Sequence, residues 1–272
     1  MSSIAWGQTC VKVDMTNWER PQFEQPFLIR NGIRNIRMTQ YEELPGDRQR
    51  QLTSTLLEFD RRGNLVSHIQ ISNEDTSLIQ RYQYTDNGVL RSTYTADKVW
   101  NRTYRSGYRF TGNQTMFQVK SYEVLRNDER MLLDTRQYVY DADSALVAIR
   151  SFENGQLIRE QRYTHDTQGR IRSEALVNAQ QDTIQTVYYT YDKAGNITEI
   201  TQQARETRTF RYAYDIQNRL VQVEWREADQ KRGEVTYRYD DQGKLTQMER
   251  RIAAERYAGP AQVREVFEYT TF

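Results

Sequence analysis

The segment Tyr189-Thr190-Tyr191-Asp192-Lys193-Ala194-Gly195-Asn196-Ile197 recurs along most of this chain. Close copies run from Tyr237 to Leu245, Tyr212 to Leu220 and Tyr138 to Leu146, with weaker ones from Tyr163 to Ile171, Tyr82 to Leu90 and Leu57 to Leu65. The ring before the turn recurs at Phe59, Tyr84, Phe110, Tyr140, His165, Tyr191, Tyr214, Tyr239 and Tyr269, a period of about 25 residues. A unit this short cannot bury an apolar face alone, so each copy must be covered by its neighbours.

Within a copy, aromatics two residues apart share one face of a β-strand. Asp stands three residues before Gly, where its carboxylate accepts backbone N–H groups of a tight turn and Gly takes the positive φ that ends it. Asp60 and Gly63, Asp166 and Gly169, Asp192 and Gly195, Asp215 and Asn218, and Asp240 and Gly243 form such pairs. Ser144 holds the Gly position less well than Gly or Asn, which predicts a looser turn there. Alternating Val221, Val223 and Trp225 then read as a return strand, so one repeat is one hairpin. Turn signals at Asn154-Gly155, over Ala228 to Gly233, and at Ala258-Gly259-Pro260 join successive hairpins into a meander. No long window keeps a helical period, so the fold class is all-β, with roughly 16–20 antiparallel strands at two per repeat.

Only 37% of the residues are hydrophobic and the mean hydropathy is −0.90, which is too polar for a thick sandwich. The 19 tyrosines predict stacking along one face of a large curved sheet that curls into a partly hollow barrel or half-shell. Residues 55–272 carry the array, and residues 27–54 read as an atypical capping hairpin, with Phe27-Leu28-Ile29-Arg30, an Asn31-Gly32 turn and a return strand from Ile33. Pro21, Pro26 and Pro45 crowd there and read as protection of a sheet edge. Residues 1–26 are a tail whose start, Ser2 to Gln8, reads either as the remnant of a secretory signal or as an ordinary terminus.

The 38 basic and 37 acidic residues are interspersed, with no basic stripe for a phosphate backbone, so nucleic acid is excluded as a partner. Cys10 is the single cysteine and no apolar run is long enough for a membrane helix. His68 and His165 are the two histidines, and His165 replaces a repeat tyrosine, so no metal, cofactor or catalytic residue is assigned. Each turn Asp supplies one carboxylate where calcium takes six or more oxygens, which makes these residues turn caps. Trp100, Tyr104 and Trp225 are the candidate ligand-binding residues, since such rings stack on sugars or clamp peptides; burial between repeats is the alternative.

The Tyr-x-Tyr-Asp-x-x-Gly-x-Leu pattern resembles the YD repeat of the RHS family, which includes bacterial polymorphic-toxin shells and animal teneurins. The resemblance covers residues 55 to 272, as a short array of about eight to nine copies. It implies a spiralling sheet, which in that family can enclose a toxic domain, and an extracytoplasmic location: periplasmic, cell-surface or secreted. The function expected is a non-enzymatic interaction or structural platform for a protein or surface glycan. Two alternatives stay open: a glycan-binding or glycan-cleaving protein with an aromatic trough, and a shell fragment for a toxin-like cargo.

Overall fold

A computed structural model describes residues 11–14, 17–44, 48–72, 75–111, 115–125, 128–228, 230–253 and 261–272. Cys10, the segment Ser2 to Gln8, Pro45 and the Ala258-Gly259-Pro260 turn lie outside the described residues. A short hairpin, β1 (Val11–Asp14) with β2 (Asn17–Phe23), leads into helix α1 (Gln25–Arg30). The array follows as β3 (Ile33–Leu44), β4 (Arg48–Phe59), β5 (Leu65–Ser72), β6 (Asp75–Tyr84), β7 (Leu90–Asp97) and β8 (Arg102–Phe110). It continues with β9 (Met116–Val124), β10 (Arg130–Tyr140), β11 (Leu146–Glu153), β12 (Gln156–His165), β13 (Ile171–Asn178) and β14 (Thr183–Tyr191). The last strands are β15 (Ile197–Gln203), β16 (Thr207–Tyr214), β17 (Leu220–Glu227), β18 (Gln230–Tyr239), β19 (Leu245–Ile252) and β20 (Ala261–Thr271). Each strand from β3 onward pairs antiparallel with the next, and β20 returns to pair with β3, closing an 18-stranded barrel.

The turns follow one plan. Asp60, Asp141, Asp166, Asp215 and Asp240 each accept, on Oδ1, the backbone N–H groups two and four residues ahead, and Asp192 accepts that of Asn196. The fourth turn residue is left-handed throughout, including Gly195 at φ 92°, Asn218 at 58° and Ser144 at 64°. The Ser144 turn is therefore not looser: its N–H still reaches the Asp141 carbonyl at 3.1 Å, because the Asp141 side chain fixes the loop.

The second tyrosine of each motif then clasps the preceding hairpin. Tyr84, Tyr140, Tyr191, Tyr214, Tyr239 and Tyr269 each donate their hydroxyl to the carbonyl of the first return-strand residue one repeat earlier, at 2.6–2.9 Å. The residue four after the turn Asp strengthens some of these clasps. Arg170 and Arg219 pair with Asp166 and Asp215 at 2.6 Å, and their guanidiniums lie over the rings of Tyr191 and Tyr239 at 4.3 and 4.9 Å.

Directly paired residues project from the same face of a sheet, so the pairing separates inside from outside. The inner row Tyr189, Ile200, Phe210 and Trp225 is buried, and a second row pairs Tyr212, Val223 and Val235. Outward positions carry charge: Glu160 joins Arg150 and Arg162 at 2.7 and 2.8 Å, Arg211 meets Glu199 at 3.0 Å, and Arg226 meets Glu224 at 2.8 Å. The outer wall in these strands thus faces water, not the apolar band that a lipid-spanning barrel presents. No helix among the described residues is long and apolar enough to cross a membrane.

Three further expectations are corrected. Phe27 to Arg30 is not a strand: Pro26 starts helix α1, and the Asn31 side-chain amide donates to the Phe27 carbonyl at 2.9 Å to end it. Phe27 and Leu28 are buried among Ile33, Ile36 and Phe59, so the segment plugs the lumen at the Asp-turn end. Gln25 anchors the plug by donating to the Arg62 carbonyl at 2.7 Å, and a Cβ on Gly63 would come within 2.9 Å of its Cγ. Six residues are too few to display a helical period, and Asn-Gly serves a helix end as well as a hairpin. Second, the barrel leaves no free edge at β3 to protect, because β3 is paired on both sides, and Pro21 and Pro26 lie outside it in the β1–β2 hairpin and in α1. Third, Gly233 belongs to β18 and not to a turn; it pairs directly with Trp225, whose ring covers it.

Candidate functional site in the barrel lumen

An 18-stranded barrel is wide enough to leave a water-filled channel. Here one half of the lumen is filled from within. Phe23 packs edge-to-face on Phe267 and Tyr269, β1 lies near β17, and α1 joins the core formed by β14 to β20 with β3 and β4. The remaining wall keeps the tyrosines but turns polar between them. Tyr82, Thr93, Ser106 and Ser121 form one inner row, and Ser106 donates to Ser121 at 3.3 Å.

Beside that wall, β10 to β14 enclose a cavity of about 510 Å³. Three cross-strand rows line it. Arg136, Ser151 and Arg159 make the first. Tyr138, Ile149, Gln161, Leu176 and Gln185 make the second. Glu174 and Val187 make the third, with Tyr163 paired to Glu174 beside them.

The charges in these rows are separated by function. Glu174 accepts from the Gln161 side-chain amide at 2.8 Å and faces the hydroxyls of Tyr163 and Tyr189. Burial, reinforced by the Glu174 carboxylate, pushes both phenols well above the usual tyrosine range, so they stay neutral hydroxyls. Tyr138 is also raised by burial, against the opposing pull of Arg136. Arg136 lies 3.7 Å from Asp134, a loose pair, and Arg159 has no ion pair among the described residues. This contrasts with the outer arginines Arg150 and Arg162, which both hold Glu160.

The lumen therefore offers a cationic row, an amide-and-apolar row and an anionic row, in that order along the strands. No group of three or more side chains suited to a metal gathers among the described residues.

The three ring residues singled out from sequence do not meet. Trp225 is 9% exposed, packed over Gly233 with the Arg250 guanidinium 5.4 Å from its ring, which is the burial alternative. Trp100 is 73% exposed on the β7–β8 loop at the end opposite the Asp turns, where its backbone N–H donates to Asp97 Oδ1. Tyr104 is half-buried on the inner face of β8, opposite Glu123. Arg136, Arg159, Gln161 and Glu174 were not singled out. A signal existed: the first three share the parity of Tyr138 and Tyr163, and a polar residue on the tyrosine face points into the lumen.

No family model and no curated protein sequence matches this chain. Among solved structures, a porin-like protein from Bacteroides uniformis matches 88% of this chain and 98% of its own, at 9% identity and a TM-score of 0.46. The TcdB2–TccC3 structure matches 83% of this chain at 16% identity and a TM-score of 0.36, and the match spans 15% of that longer chain. A putative outer membrane lipoprotein-sorting protein domain from Vibrio parahaemolyticus matches 88% of this chain at 8% identity and a TM-score of 0.22, over 86% of its own length.

Proposed function

We propose that this chain is a short YD-repeat barrel that works outside the cytoplasm as a non-enzymatic binding module, and that its working surface is the lumen. The repeat resemblance supports the family and the location. One observation supports the lumen: the inner wall of β10 to β14 exposes Arg159 to a cavity of about 510 Å³, with no ion pair for it among the described residues, while neighbouring outward arginines are neutralised. A wall that served only as scaffold would gain stability from apolar residues at these positions, as β14 to β20 do.

The test compares wild type with Ser151→Trp, which fills the cavity from the centre of its cationic row. Both are titrated against panels of peptides, oligosaccharides and amphiphilic acids, and products are assayed in parallel. The reading requires a ligand that wild type binds without turnover and that Ser151→Trp excludes. Ligands that bind both proteins equally would assign function to the outer surface, and turnover lost on replacing Glu174 would assign an enzyme.

A further inference from the structure

Resting on the reading of the lumen as the binding surface, we infer that its ligand is a short linear peptide with free termini, its carboxylate toward Arg136 and Arg159 and its ammonium toward Glu174. The order of charges carries this. Arg136 and Arg159 flank Ser151 across three neighbouring strands, so their Cα atoms stand about 10 Å apart, and two guanidiniums there bracket one anionic group. Along β12, Arg159, Gln161 and Tyr163 share the inner face, and Tyr163 pairs with Glu174. The anionic row therefore lies four residues from the cationic row, about 13 Å along the strand.

An extended peptide of three or four residues spans about 10–13 Å. The groups between the two poles suit a peptide body. The side-chain amides of Gln161 and Gln185 offer a donor and an acceptor to backbone N–H and C=O groups, while Ile149 and Leu176 offer apolar contact to side chains. Beyond Glu174 the inner face carries Tyr189 and Ile200, both buried in the hydrophobic core, so a chain continuing past its ammonium would meet packed side chains with no polar partner lining the cavity. A neutral oligosaccharide would bring no counter-charge to Arg159 or to Glu174, and a fatty acid would leave Glu174 facing hydrocarbon.

The test uses the full chain and isothermal titration with a tripeptide and a tetrapeptide of alanine and leucine, each free, N-acetylated or C-amidated. The expected result is binding of the free forms, with each blocked terminus weakening it about tenfold or more, a loss of roughly 1.4 kcal/mol. Arg159→Gln should abolish the preference for free acid over amide and leave the preference for free amine. Glu174→Gln should do the reverse. The comparison of free and blocked peptides on wild type stands even if a variant fails to fold. Equal binding of free and blocked peptides, or no peptide binding at millimolar concentration, overturns the inference. If a glycan or an amphiphilic acid then binds wild type and is excluded by Ser151→Trp, the lumen reading survives without it; if Ser151→Trp excludes nothing, that reading falls as well.

Discussion

Replacing Gly233 by Ala separates packing from local propensity, because the two predict opposite signs. In a strand interior, Ala is favoured over Gly by about 0.5–1 kcal/mol, since Gly loses more backbone freedom on folding. Gly233 has no positive φ that would penalise a side chain. Its added Cβ, however, would come within 2.6 Å of the Arg251 carbonyl oxygen and closer still to Cζ2 and Cη2 of Trp225. Carbon atoms in contact prefer about 3.5–4.0 Å, so the indole would have to retreat by roughly 1 Å. It is hemmed in: Trp225 is buried, pairs with Phe210 on its other side and shares a core with Val223 and Val235. Overpacking of this kind costs about 1–3 kcal/mol, which exceeds the propensity gain. Gly233→Ala should therefore destabilise by about 1–2 kcal/mol, measured by urea unfolding followed by far-ultraviolet circular dichroism. Gly107→Ala is the control, because Gly107 also lies mid-strand and its added Cβ meets nothing within 4 Å. It should be neutral or stabilising by up to about 1 kcal/mol. Adding Trp225→Leu to Gly233→Ala should cost less than Trp225→Leu does in the wild-type background. A Gly233→Ala protein as stable as Gly107→Ala would refute the account of an indole packed over glycine.

His165 interrupts the tyrosine clasps, so His165→Tyr should let a hydroxyl reach the Leu146 carbonyl and stabilise by about 0.5–1.5 kcal/mol; an unchanged urea midpoint would count against the clasp as a stabilising device. At Gly195, with φ 92° and open space around an added Cβ, only backbone strain opposes substitution, so Gly195→Val should melt lower than Gly195→Asn, and equal melting temperatures would contradict the turn geometry. Burial alone would raise the carboxyls of Asp166, Asp192 and Asp215, but hydrogen bonds from turn N–H groups and from Arg170, Asn196 and Arg219 outweigh it and hold all three below the usual range. Their stabilisation is present above the unfolded value of about 3.9 and is lost as pH falls through the depressed folded values. The urea midpoint should thus hold down to about pH 5 and drop below about pH 4, and the triple Asp→Asn variant, which keeps the acceptor oxygens, should show a smaller drop.

What the sequence determined by itself is what the chain settles between near neighbours. Tyr189 and Tyr191 share a face because strands alternate, and Asp192 and Gly195 close a turn because three residues separate an acceptor from a left-handed position. Such relations repeat with the motif, so the hairpins, their meander and the aligned turns were legible before any coordinates. Closure was not: β3 and β20 meet across more than two hundred residues, and nothing local records that two edges satisfy each other. Nor was the helix at Gln25–Arg30, whose Phe27 and Leu28 find a core only once the barrel exists to enclose them. Closure also gave the two sheet faces different fates. Arg159 and Arg162 look alike in sequence, yet one faces the lumen and the other holds Glu160 at the water-facing wall. Parity separates the two faces locally, but only the closed barrel decides which of them is inside.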